Sequence, residues 1–325
     1  MPRILTDHDV DALLPPPRAL ADVRTAFELL GAGEAWDEPR RRSTGGNVTL
    51  NVMSAIAPTL DAVAVKSYPV VRTGTNRASA IAVVVYTCET GELRGLVRAD
   101  LLGRRRTAAA SALATELMAR PDSETVCLLG TGFQAPAQVS ALVDVLPKLR
   151  RVLVVGRDAT RAAATADGLR RAHPRLDVEA GTSPERAVPR ADVVITATGA
   201  AEPLFDGGLL RAGTHVNAVG SNHAARRELD RSVFERAAHV AVDSAAVAAL
   251  ECGDLLANGL DPAAATEFAD IVAGRVPGRG DGDDITVFES HGLAIQDLVC
   301  AVGVLDGARQ PGAAAEVPGE SGEDA

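Results

Sequence analysis

Thr125-Val-Cys-Leu-Leu-Gly130-Thr-Gly-Phe-Gln-Ala135 decides the fold: an apolar run stops at two glycines one residue apart. A continuous hydrophobic run of this length reads as a buried parallel strand. The Gly130-Thr131-Gly132 turn then lets the backbone come close to a pyrophosphate at the start of the next helix, whose free amides favour an anion. Ala135 stands at the third position of the G-x-G-x-x-G/A pattern. An ordinary tight turn also carries a lone G-x-G, so the flanking sequence has to support the nucleotide reading.

Downstream, apolar strands alternate with helical stretches: TVCLL, VLVVG after Arg151, ADVVITAT at Ala191, THVNAVG at Thr214 and HVAVDS at His239. That alternation predicts a parallel sheet covered by helices on both faces. Leu255 to Asp284 reads as glycine-rich loop, followed by a last strand, ITVFES, and a helix, LAIQDLVCAVGVL. Upstream the pattern differs. Thr6 to Gly31 has helical spacing, and Gly45 to Val97 breaks into short β-type segments (VTLNVMSAI, AVAVKSYPV, AIAVVVYT, LRGLVR) with a turn at Glu89-Thr90-Gly91-Glu92. Asp100 is expected to cap a long alanine-rich helix that Pro121 closes.

A chain of 325 residues exceeds the size at which one core keeps growing, so two domains are expected. The expected fold class is α/β: a Rossmann-type parallel-sheet domain over 121–290, and an α+β domain over 1–120 joined by a C-terminal helix near 291–306. The small, acidic tail 307–325 reads as disordered. A net charge of −10 disfavours nucleic acid or an anionic membrane as partner, and 3% aromatic residues leave no stacking platform for single strands. No apolar stretch approaches membrane-spanning length, and the amino-terminal residues carry acids where a signal peptide would be basic. The four cysteines (88, 127, 252, 300) form no C-x-x-C pair and read as reduced thiols, so a cytoplasmic protein is expected.

The strand after the glycine loop tests the cofactor reading, because an acid at its end binds the ribose 2′-hydroxyl of NAD. Here it ends Val155-Gly156-Arg157-Asp158. Gly156 occupies the expected acid position, and the Arg157 guanidinium suits a 2′-phosphate, which favours NADP (NADPH) over NAD. Asp158 is either the ribose acid displaced by one residue or a helix cap. The cofactor-binding candidates are Gly130, Thr131, Gly132, Phe133, Gln134, Ala135, Arg157 and Asp158, with Thr198, Val219 and Ser290 at the ends of later strands.

KSYP at Lys66, RRRTAAASALAT at Arg104, LLGTGFQA at Leu128, HVNAVGSN with RRELD after His215, and ITVFESHGLAIQD at Ile285 follow one another in this order. Together they make residues 1 to 305 resemble the ornithine cyclodeaminase/mu-crystallin family. The resemblance implies a Rossmann domain plus a substrate domain whose sheet pairs across a homodimer. It also implies Lys66 as the catalytic lysine, a role that burial and a lowered pKa suit. Arg40, in a register that Arg41 and Arg42 leave open, would receive the substrate carboxylate, and Arg106 would lie near both carboxylate and cofactor. Only one or two of the helix arginines 104–106 can point into a cleft.

Members that cyclise ornithine carry an aspartate in G-x-D-x-x-G-K, whereas here Gly220-Ser221-Asn222 places an amide at that position. An amide exchanges no proton near neutral pH, so Asn222 becomes a substrate-binding candidate and the cyclisation route loses its acid. His223 either replaces that acid or sits on a surface loop. His291, at the end of the last strand, either donates a proton as a second catalytic residue or lines the pocket. No histidine stands at metal-ligand spacing, and no metal is expected. The expected activity is an NAD(P)H-dependent oxidoreductase acting on the C–N bond of a small α-imino or α-amino acid. A cyclodeaminase-type lyase with bound NAD, or a cofactor-binding protein without turnover, are the alternatives.

Overall fold

The computed structural model describes residues 2–73 and 76–309. These form two compact units, one made of the described residues up to 106 together with 293–309 and the other of 107–292. Residues 310–325, the bulk of the expected tail, lie outside the described residues.

The first unit opens with β1 (Arg3–Leu5), α1 (Asp7–Leu13) and α2 (Pro16–Ala32). One helical stretch was expected here. The structure has two, because a proline has no amide to continue a helix and Pro15 to Pro17 therefore restart it. Thr6 and Asp9 form a reciprocal capping box at the start of α1. A seven-stranded sheet follows: β2 (Trp36–Gly45), β3 (Val48–Ala57), β4 (Ala62–Thr73), β5 (Asn76–Ala78), β6 (Ala82–Tyr86) and β7 (Leu93–Arg98), in the order β1-β7-β6-β4-β3-β2 with β5 against β4. All its pairings are antiparallel except β1 with β7. Strand β2 was not expected, since its run of arginines and acids shows no apolar alternation. Its backbone pairs with β3 all the same, across a bulge between Glu38 and Arg41.

Helix α3 (Asp100–Met118) leaves this sheet and enters the second unit. Asp100 was expected to cap it, but Asp7 of α1 reaches Leu101 N at 2.9 Å. The second unit contains β8 (Thr125–Leu129), α4 (Ala135–Val145), β9 (Arg151–Val155), α5 (Ala159–Ala172), β10 (Asp177–Gly181), α6 (Pro184–Ala187), β11 (Val193–Thr196), β12 (His215–Ala218), α7 (Arg231–Arg236), β13 (Ala237–Val242), α8 (Ala245–Glu251), α9 (Gly253–Leu256), β14 (Thr266–Glu267), α10 (Phe268–Val272) and β15 (Ile285–Glu289). The eight strands are all parallel, in the order β10-β9-β8-β11-β12-β15-β13-β14. The order reverses beside β8, which is the Rossmann arrangement and makes the carboxyl end of β8 the switch point where ligands bind. Polar Asp177-Val-Glu hid β10, and the stretch expected as loop after Leu255 holds β14 and α10, anchored by Phe268 against Phe288 with ring centroids 4.5 Å apart.

The chain closes with α11 (Ala294–Gly307), part of the first unit, where it packs on α2 and on β3, β4 and β6. Ala294 to Leu305 are buried without a break. A helix buried on every side should be apolar all round, so Gln296 and Asp297 within it mark a polar requirement.

Candidate active site

In the first unit the alternation of β4 turns Ala62, Ala64 and Lys66 to the interior, with Lys66 paired across to Met53 on β3 and Val83 on β6. Its Nζ donates to both carboxylate oxygens of Asp297, at 2.8 and 2.9 Å, and both side chains are buried. Arg106 Nε donates to the same carboxylate at 3.2 Å, and its Nη1 donates to Gln296 Oε1 at 3.0 Å. Burial lowers the Lys66 pKa to about 8; Asp297 opposes the shift, while the Arg106 and Arg40 charges add to it. Burial acts to raise the Asp297 carboxyl, but the Arg106 and Lys66 charges hold it below its ordinary value. Gly103 of α3 would bring a Cβ to 3.9 Å from Lys66 Nζ, so the helix passes close to the ammonium.

The structure settles which arginines turn inward. Arg40 is buried while Arg41 and Arg42 are exposed. On α3, Arg106 is buried, whereas Arg105 reaches the α1 end and donates to the carbonyls of Val10, Asp11 and Leu14, where it is a structural tie. Asp297 and Gln296 were missed as site residues. The signal was a carboxylate inside an apolar helix.

In the second unit β8 ends at Gly130, whose φ of +128° and whose approach to Ala197 exclude a side chain: a Cβ would lie 2.4 Å from the Ala197 carbonyl oxygen. The backbone therefore passes the β11 end with no side chain between, and Thr131 to Gln134 lead into the first turn of α4. Such a cradle fits a dinucleotide pyrophosphate. Gly130→Ala is expected to cost at least ~1–2 kcal/mol from the backbone angle alone, lowering the melting temperature by about 2–8 °C. It should also abolish nicotinamide dinucleotide binding, read by a thermal melt and a fluorescence titration.

At the end of β9 a Cβ on Gly156 would meet Thr131 Cγ2 at 2.8 Å, so Thr131 occupies the space a ribose-binding acid would need. Asp158 is spent as the cap of α5, accepting from Thr160 N and Arg161 N at 2.8 and 3.1 Å. Arg157 is exposed, and Arg161, which the sequence reading passed over, points a guanidinium at the Thr131 carbonyl at 3.4 Å. Thr198 donates from backbone and hydroxyl to Glu228 Oε1, at 2.7 and 2.6 Å, and Gly220 N donates to Glu228 Oε2 at 2.9 Å. Glu228, also missed, thus ties together the segments following β11 and β12, where Val219 and Gly220 lie. Burial raises its pKa to about 7 against the Thr198 hydrogen bonds. Asn222 and His223 are exposed, and His223 Nδ1 accepts from Ala225 N in the same turn. Ser290 and His291 are buried after β15: Asp243 accepts from Ser290 Oγ at 3.3 Å and from the His291 and Gly292 amides at 2.7 and 2.6 Å.

The profile of the ornithine cyclodeaminase/mu-crystallin family matches residues 2–311. The chain belongs to this family. Among its relatives is the mouse ketimine reductase mu-crystallin, 33% identical over 263 residues that cover 79% of this chain and 80% of that one. A Delta(1)-pyrroline-2-carboxylate reductase of Bacillus cereus is 32% identical over 273 residues, 81% and 83% of the two chains. Among solved structures, the Thermococcus litoralis Delta(1)-pyrroline-2-carboxylate reductase in complex with NADH and L-proline superimposes with a TM-score of 0.91 at 28% identity, over 97% of this chain and 99% of that one. Family membership accounts for a glycine-loop unit and a lysine-bearing unit occurring in one chain.

Proposed function

We propose that the protein is an NAD(P)H-dependent oxidoreductase that reduces the C=N bond of a small α-imino acid, a cyclic ketimine carboxylate above all. The buried Lys66 held by Asp297 carries this reading: burial lowers its pKa to about 8, and among the described residues it is the one proton donor of the cluster besides the Arg106 guanidinium and the Gln296 amide. Reduction of an imine adds a hydride to carbon and a proton to nitrogen. The cofactor, when bound, supplies the hydride. Lys66 supplies the proton or polarises the bond, and Arg40 and Arg106 receive the carboxylate through their planar forks. Arg106 would exchange part of its hold on Asp297 and Gln296 for the substrate. Asn222 is offered to the substrate as a hydrogen-bonding side chain, and His291 lines the pocket at the end of β15 rather than carrying a proton.

The proposed division of labour gives substrate binding and dimerisation to residues 1–120 with the helix near 291–306, and NAD(P) binding to 121–290. Trp36 on β2 pairs with Ile56 on β3, and these side chains share one exposed face with Leu50, which supports a homodimer built on that sheet. The amide at Asn222 speaks against the lyase route, so ornithine should release no ammonia. Among the described residues no helix is long and apolar enough to cross a membrane, and four free cysteines fit a reducing cytoplasm.

The test is NADPH oxidation with purified protein and a panel of cyclic ketimine carboxylates that includes pyrroline-2-carboxylate; unchanged absorbance across the panel would overturn the reading. NADPH is preferred because Gly156 stands where the acid that reads a ribose hydroxyl would be, and the exposed Arg157 follows it directly. Arg157→Ser is expected to raise KM for NADPH by ~10- to 150-fold, the equivalent of about 1.5–3 kcal/mol for a charged hydrogen bond, and to leave KM for NADH nearly unchanged.

A further inference from the structure

Cys252, at the junction of α8 and α9, meets Glu289 and His291 at the end of β15. One ligand atom from each lies within 4.8 Å of the others, and all three residues are buried. Sequence spacing cannot show this set, because Cys252 is brought in only by the fold. Glu289 is 2% exposed, and its Oε1 has no hydrogen-bond partner among the described residues. A buried carboxylate oxygen without a donor needs a cation or a proton.

The surroundings repeat the requirement. The charges acting on Glu289 are those of Asp254, Glu228 and Asp243, and burial with these neighbours drives its carboxyl well above its ordinary value. Burial likewise pushes the Cys252 thiol up. A divalent cation would reverse both tendencies. His291 Nδ1 lies 3.4 Å from Asp243 Oδ1, the carboxylate–histidine pairing that commonly stands behind a metal-bound imidazole.

We propose that Cys252, Glu289 and His291 bind one Zn2+ ion that pins the loop following β15 to the turn between α8 and α9. One sulfur, one nitrogen and one carboxylate oxygen suit Zn2+ rather than Mg2+ or Ca2+. Tetrahedral bonds of about 2.0–2.3 Å set ligand atoms roughly 3.3–3.8 Å apart, so the three side chains close by about an ångström on binding. Both Cys252 and Glu289 bind as anions, so the thiol releases its proton as the ion enters, and the two anionic ligands balance its charge.

The experiment uses full-length protein purified without a metal-chelating tag. Elemental analysis should find close to one zinc per chain. X-ray absorption at the zinc edge should show one sulfur among nitrogen and oxygen neighbours. After dialysis against a chelator, one equivalent of Co2+ should produce a thiolate-to-cobalt charge-transfer band in the near-ultraviolet, absent from Cys252→Ser and weakened in Glu289→Gln. Zinc well below one equivalent with no cobalt band, a zinc edge lacking sulfur, or a band that persists in Cys252→Ser would each overturn the proposal. The wild-type absorption spectrum decides even where a variant fails to fold.

Discussion

Lys66→Met is expected to reduce kcat for ketimine reduction by ~10²- to 10⁴-fold, the range for losing a positioned acid, while leaving the NADPH dissociation constant within a few-fold of wild type. The thioether chain of methionine fills the aliphatic volume of lysine beside Met53 and Val83 but donates nothing. On the proposed mechanism the protonated lysine is the active form, so the wild-type rate should fall as pH rises through about 8, the value to which burial lowers its pKa. That limb should vanish from the residual activity of the variant. Stability runs the other way for this group. Its folded pKa is depressed below the unfolded one, so the unfolded chain binds more protons between about pH 8 and 10.5, and the Lys66 contribution to stability rises across that window and is lost as pH falls back through it. Equal loss of kcat and of NADPH binding in Lys66→Met would mean that the lysine holds the fold rather than the reaction.

Asp297→Asn is the second large expectation. The amide keeps the shape of the carboxyl but leaves the Lys66 and Arg106 cations buried side by side without their shared anion. The first response available is loss of the lysine proton. The alkaline limb of the rate should therefore move to lower pH by about 1–3 units, the usual effect of one nearby charge, and activity at pH 8 should fall by at least ~5-fold. Acidification should restore much of the rate in Asp297→Asn and none of it in Lys66→Met. A merely structural Asp297 would lower activity equally at every pH, so the profile separates positioning from packing. Asp297→Glu, which retains the charge one methylene further out, should keep the limb near its wild-type position.

How much of this was legible beforehand differs between the two units. The parallel sheet could be read because burial on both faces makes its strands continuous apolar runs, and because the glycine turn after β8 admits no side chain. Strands β2 and β10 could not, since polar and charged residues at a sheet edge pair by backbone alone. In the first unit, Lys66 was legible through the family resemblance, at the end of the alternating segment AVAVK whose earlier inward positions are alanines. The choice among Arg40, Arg41 and Arg42, and among Arg104, Arg105 and Arg106, waited for the fold, because a bulge in β2 and the rotation of α3 decide which guanidinium turns inward.

Local order in the sequence determined that this chain has a dinucleotide fold with a glycine cofactor loop and a lysine-bearing sheet, because apolar periodicity, glycine turns and short motifs are properties of neighbouring residues. Tertiary structure alone decided that Asp297 is the partner of Lys66, that Asp158 is a cap, that Glu228 joins the segments after two strands, and that Cys252 meets Glu289 and His291. Those pairings join residues distant along the chain. The low dielectric of the interior then gives them energies and pKa values that no short stretch of sequence contains.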